Sequence, residues 1–140
     1  MEQIEIIKKK IIHNSKGDII HILKKNDSNF KSFGEMYLST IKKQKIKGWN
    51  FHKKMHMNLI VLKGRIKFVF LDRRKKSINY NSFLEVELSD KCFKIIKVPS
   101  NIWFAFKGLN KESFILNTAN ILHDPLEQIK KPLSYIKYKF

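Results

Sequence analysis

A single cysteine, Cys92, stands in this chain of 140 residues. That excludes a disulfide framework and a thiolate-rich metal centre, and within KCFKII the residue reads as a small core or edge position of a strand. Long hydrophobic runs are missing as well: nothing approaches the ~18 apolar residues that cross a bilayer, and MEQIEIIKKKIIHNSKGD at the start has no stretch of signal-peptide length. The expectation is a soluble, cytoplasmic chain with no membrane partner. Internal repeats and low-complexity linkers are absent too, so residues 1–140 are expected to form one domain, long enough to bury about two thirds of its unfolded surface.

Arginine is scarce. Only Arg65, Arg73 and Arg74 break a basic set of 29 residues that is otherwise all lysine, against 12 acids, for a net charge of +17. Such a charge invites a nucleic-acid reading. However, recognition of bases and phosphates leans on the bidentate arginine fork. The lysines are also dispersed in pairs and triplets, such as Lys8-Lys9-Lys10, Lys53-Lys54 and Lys130-Lys131, with no basic helix or tail. The expectation is an electropositive surface that favours anionic ligands, without specific nucleic-acid binding. A nucleic-acid-binding β-barrel stays open as an alternative on charge alone.

What the chain does have is a succession of short β elements. MNLIVL (57–62) and RIKFVFL (65–71) flank Lys63-Gly64, a good signal for a two-residue hairpin. In the second run Ile66, Phe68 and Phe70 share one face, and Arg65, Lys67, Val69 and Leu71 the other. Ile4–Ser15 reads as a strand pair, followed by strands at IIHILKK, EMYLSTIKK, FLEVELS, CFKIIKVP, IWFAF and SFILNTANI, about ten residues apart, as in a sandwich or barrel. DRRKKSINYNS is a polar loop. Asp124-Pro125-Leu126-Glu127 has the form of a capping box, so a short C-terminal helix is predicted there, bending or restarting at Pro132. The tail LSYIKYKF suits packing on the barrel or on a partner subunit.

Five blocks in order, KGWNFH, MNLIVLKG, Asp72-Arg73-Arg74 with Ser77, PSNIWFAF and LNTANILHDPLE, resemble those of the sugar-nucleotide cupins. These comprise the dTDP-4-dehydrorhamnose 3,5-epimerase family and the related 3,4-ketoisomerases of dTDP-4-keto-6-deoxyhexoses. The epimerase blocks read approximately RGLHFQ, KLV with a Gly-ended hairpin, DxRxxS, PPGxAHGF and LYxxTxYYxPxxE. The ketoisomerase GFHAHKKLKQL matches GWNFHKKMHMN here more closely still. The resemblance runs from Lys16-Gly17 to Glu127. It implies an all-β cupin jelly-roll barrel, usually dimeric, whose mouth binds a nucleotide-linked 4-keto sugar. In its register the base His of the epimerases falls on Asn50, the acid Tyr on Asn117 and the His after PPG on Phe104, while the second His of the ketoisomerase pair survives as His52.

An asparagine takes no proton at neutral pH, which leaves His52 as the candidate catalytic base of this segment. Asn50, two residues earlier, shares its face in a strand. Around them Lys47, Asn50, His56, Arg74, Trp103 and Asn117 are candidate substrate-binding residues. Lys47 takes the place of an arginine that looks toward the phosphates in the epimerases, and reads equally as a solvated surface lysine. Arg74 either pairs with Asp72 or a glutamate to fix its loop, or reaches a diphosphate. Trp49 and Trp103 both read first as core packing, although a Trp face is also a natural platform for a sugar or a base. The metal-ligand places of other cupins fall on Asn50, His52, Met57 and Phe104, one plausible ligand, so no metal is expected. His13, His21 and His123 are assigned no chemistry.

The expected function is a nucleotide-sugar epimerase or isomerase acting on a dTDP-linked 4-keto-6-deoxyhexose in surface polysaccharide biosynthesis. It needs no cofactor and is expected to be a homodimer. The alternative is a degenerate cupin that binds a sugar nucleotide, or a partner enzyme of the pathway, without turnover.

Overall fold

Alternating apolar residues, far apart in sequence, give each strand one face to bury, and the computed structural model, which describes residues 1–140, shows how they meet. The strands are β1 (Glu5–Lys8), β2 (Ile11–Ile12), β3 (Ile19–Ile20), β4 (Glu35–Lys42), β5 (Ile46–His52), β6 (Met57–Lys63), β7 (Arg65–Asp72), β8 (Ser82–Ser89), β9 (Lys94–Val98), β10 (Trp103–Gly108), β11 (Glu112–Ala119) and β12 (Gln128–Lys130). Two five-stranded antiparallel sheets form, one in the order β1-β9-β6-β11-β4 and the other β12-β5-β10-β7-β8; β2 and β3 make a separate short ladder. From β4 onward every connection except β7–β8 carries the chain from one sheet to the other. This is the jelly roll that the resemblance implies.

Local expectations fared unevenly. Both runs around Lys63-Gly64 are strands, but they do not form a hairpin. β6 pairs with β9 and β11, and β7 with β8 and β10, so Gly64 turns the chain between sheets. A tight turn and an inter-sheet corner both call for a positive φ, here +80° at Gly64, and only the partners of each strand distinguish them. Ile4–Ser15 is likewise not a strand pair: β1 joins β9 and β2 joins β3. The helix predicted from Asp124 is a turn. Its Asp124 carboxylate does accept the Leu126 N–H at 2.9 Å, but Glu127 is drawn into the interior and the chain continues as β12. The only helical element is a 3₁₀ turn at Leu133–Tyr135, after Pro132.

Ile66, Phe68 and Phe70 enter the core between the sheets, together with Met57, Leu59, Val86, Ile96, Phe104 and Phe106. Val69 and Leu71, on the opposite face of β7, are not solvated. They join Trp49, Trp103, Ala105 and Ile136 in a second cluster on the outer side of that sheet. The C-terminal tail closes it, with Tyr138 and Phe140 against Trp49 at ring-centroid distances of 6.4 and 5.7 Å. The tail therefore packs on its own barrel, one of the two uses its composition allows.

Gly34, where the chain enters β4, donates to the Ala119 carbonyl at 2.8 Å. A Cβ there would lie 2.1 Å from the Ile121 carbonyl carbon, and backbone cannot swing aside as a side chain can. Gly34→Ala is expected to destabilise the fold by about 3 kcal/mol, the upper end of overpacking costs, seen as a lowered midpoint in urea unfolding with an unchanged slope.

Candidate active site

The inner faces of the two sheets diverge enough to leave a cavity of about 510 Å³. One wall carries Tyr37 and Ser39 of β4, Met57 and Leu59 of β6 and Asn117 of β11; the other carries Asn50 and His52 of β5 with Phe68, Phe104 and Phe106. Lys47, Gln128 and Lys130 add polar groups to the lining. Pleating brings Asn50 and His52 to the same side, as expected of residues two apart, while Trp49 and Phe51, on either side of Asn50, are turned to the outer cluster. A register shift in the β5–β10 ladder between Phe104 and Phe106 marks a bulge beside these residues, a feature often found next to sites because it re-aims side chains.

His52 is 4 % exposed, and its ring lies against that of Phe104, centroids 5.9 Å apart. Its Nδ1 meets Glu127 Oε1 at 2.5 Å. The other oxygen of Glu127 accepts the backbone N–H groups of Lys54 at 3.1 Å and Met55 at 3.3 Å. Burial pushes the Glu127 carboxyl upward, but the hydrogen bond from His52 and those from the backbone outweigh it and hold the acid below its ordinary 4.5. A carboxylate bound at Nδ1 fixes the imidazole's orientation, and Nε2 has no protein partner and is left for the cavity.

Across the cavity Asn117 is 1 % exposed, yet neither its amide oxygen nor its nitrogen has a hydrogen-bond partner in the protein. An orphaned buried amide costs roughly 1–3 kcal/mol, and a ligand that pairs with it recovers that penalty. Directly beside it in the β4–β11 ladder stands Tyr37. Its phenol is pushed above the ordinary 10.0, first by burial and further by the charges of Glu35 and Glu127; the Asn117 amide, which approaches without completing a bond of normal geometry, works against the shift. Tyr37 is therefore a neutral O–H donor at physiological pH. Asn50 makes no side-chain hydrogen bond, and Lys47 donates to the Thr40 carbonyl at 2.7 Å, tying β5 to β4 while lining the cavity.

Three of the sequence candidates lie elsewhere. Trp103 faces the outer cluster between Phe51 and Tyr135, because it occupies the alternate pleat to Phe104. Arg74 closes its own loop: its guanidinium donates to both Asp72 oxygens, at 2.9 and 2.7 Å, and to the Glu2 carbonyl at 2.7 Å. His56 lies beyond the turn after β5, with Nδ1 3.6 Å from Glu2, and burial and the nearby Lys31 lower its pKa. Conversely, sequence reasoning passed over Glu127, taken as a helix cap, and Tyr37, taken as an ordinary strand residue. The Glu that ends the last resembling block was a signal for the first; nothing local marked the second. At the places where other cupins hold a metal stand an amide, one imidazole, a thioether and a phenyl ring, and no three His, Cys, Asp or Glu side chains converge.

The family model described as "FdtA: WxcM-like, C-terminal" matches residues 2–140. No curated protein sequence matches the chain. Among solved structures, a dTDP sugar isomerase from Desulfovibrio desulfuricans G20 superposes with a TM-score of 0.91 at 24% identity, covering 99% of this chain and 90% of that one. The dTDP-4-dehydrorhamnose 3,5-epimerase from Sulfolobus tokodaii gives 0.85 at 22% identity, covering 98% and 81%. That from Elizabethkingia anophelis NUHP1 gives 0.85 at 15%, covering 99% and 82%.

Because the Glu127 carboxyl is held below 4.5, its ionised form stabilises the folded state; the contribution is present above the unfolded-state value and is lost as pH falls through the depressed one. Glu127→Gln is expected to lower the urea midpoint at pH 7 and to flatten its decline below pH ~4.5 relative to the parent protein. An unaltered acid limb would mean that Glu127 is not ionised in the folded protein.

Proposed function

The chain belongs to the FdtA, WxcM-like C-terminal family, and on that premise we propose that it is an isomerase or epimerase of a dTDP-linked 4-keto-6-deoxyhexose that works by enolisation. The observation that carries this reading is the buried His52–Glu127 pair on one wall, facing the unpaired Asn117 amide and the Tyr37 phenol on the other. A sugar ring between the walls meets a base on one face and neutral donors on the other.

In the first step His52 Nε2 takes the proton from the carbon next to the ketone. The C–H electron pair forms the enolate double bond, and the carbonyl π pair moves to oxygen. Glu127 stabilises the imidazolium through Nδ1–H. The Tyr37 hydroxyl and the Asn117 amide donate to the developing oxyanion. Return of the proton from His52 to the former carbonyl carbon, with the hydroxyl proton of the adjacent carbon passing to the former carbonyl oxygen, moves the ketone. Delivery of the Tyr37 hydroxyl proton to the original carbon from the opposite wall inverts it, and the proton left on His52 returns to Tyr37 through solvent. Either outcome balances without a redox partner. Lys47 and Lys130 offer positive charge to the diphosphate. The surface-polysaccharide role and the homodimer are further proposals, and rest on the family resemblance alone.

The test is proton NMR in heavy water with dTDP-4-keto-6-deoxyglucose, following the C3 and C5 protons. Exchange, or a new sugar spin system, is expected, and the carbon that exchanges identifies the reaction. His52→Asn is expected to slow exchange by about 10²–10⁴-fold, and Tyr37→Phe by about 10²-fold with little change in KM. Saturable binding with no exchange would replace this reading by the non-catalytic binder, for which the residues at positions 50, 104 and 117 supply the argument.

A further inference from the structure

A second concavity opens among the turns at the end of the sandwich where β4 runs into β5, and it shares no residue with the catalytic cavity. It is larger, about 1080 Å³, and lysines dominate its lining: Lys42, Lys43 and Lys45 from the β4–β5 turn, Lys63 at the β6–β7 corner and Lys111 between β10 and β11. Two acids also face it, and both are engaged. Asp90 Oδ2 accepts the Gly64 N–H at 3.0 Å, and Glu112 pairs with Lys63 at 3.6 Å. Of the five lysines of the cleft only Lys63 has a carboxylate within reach; Lys42, Lys43, Lys45 and Lys111 have none.

The turns that carry these lysines are held closely. Gln44 adopts a left-handed conformation with φ 63° and donates to the Gly108 carbonyl at 2.8 Å, and Lys43 N–H bonds the Lys111 carbonyl at 3.3 Å. Gly108 lets the segments meet, since a Cβ there would lie 2.5 Å from the Lys42 carbonyl oxygen. The backbone thus gathers like charges that would otherwise separate, and a bound polyanion relieves their repulsion. We propose that this cleft binds a compact polyphosphate anion, a chain of phosphates recognised by charge alone. Ammonium groups serve phosphate as point charges without the geometric demand of the arginine fork. No aromatic side chain lines the cleft to stack a base, and Leu109 is its only apolar residue, so neither a nucleobase nor an acyl chain finds a seat.

The test is calorimetric titration of tripolyphosphate into the full chain bearing Lys47→Ala and Lys130→Ala, which removes the lysines of the catalytic cavity. One saturable site is expected, weakened by salt. Adding Lys43→Ala, Lys45→Ala and Lys111→Ala should weaken it at least tenfold. Adding Lys10→Ala, Lys16→Ala and Lys25→Ala instead, an equal loss of charge at exposed lysines outside the cleft, should change it less than twofold. Equal weakening by both triples would reduce the binding to net charge and overturn the site, as would a titration with no saturation. An oligothymidylate that binds more tightly than tripolyphosphate through the same three lysines would overturn it in favour of a nucleic-acid surface.

Discussion

The carboxylate of Glu127 ties the last strand to the turn that ends β5. Its two oxygens meet one imidazole and two backbone N–H groups, so a charge that would be costly to bury is met by three donors. The same contacts set the β12–β5 register, in which Gln128 lies opposite His52, and turn the His52 ring toward Phe104. Without this carboxylate β12 would keep only its backbone bonds to β5, and His52 would lose its orientation. These contacts draw Glu127 inward, and a turn rather than a helix occupies Asp124–Glu127.

A second constraint comes from the sheet that carries β5, β7 and β10. Both of its faces are apolar, one turned to the core and cavity, the other to the tail. Ile136, Tyr138 and Phe140 cover Trp49 and its neighbours, so the wall bearing Asn50 and His52 is backed by packed rings. On the proposed function a rigid backing matters, because a misplacement of about an ångström can cost two orders of magnitude in rate.

Charge is distributed with more order than the composition indicates. Several lysines are tied to carboxylates: Lys97 alone reaches both Glu2 and Glu5, and Lys67 reaches Glu85. Lys47 and Lys130 at the cavity, and Lys43 and Lys111 at the cleft, have no such partner.

Features that depend on neighbours a few residues away were legible along the chain. The alternation of Ile66, Phe68 and Phe70 identified an inward face, the Asn50–His52 spacing put both side chains on one side, and the ordered blocks carried the jelly roll and the family. Whatever depended on distant partners was decided by the tertiary structure. Lys63-Gly64 reads alike as a hairpin or a corner, because each asks only for a permissive φ. Glu127 satisfies a capping pattern until a histidine 75 residues earlier claims it. Trp103 and Phe104 differ by one step of the pleat, and that step sends the first to the tail and the second to the cavity. Tyr37 and Asn117 meet because β4 is an edge strand beside β11, a pairing fixed by the closure of the whole sandwich and by no local pattern.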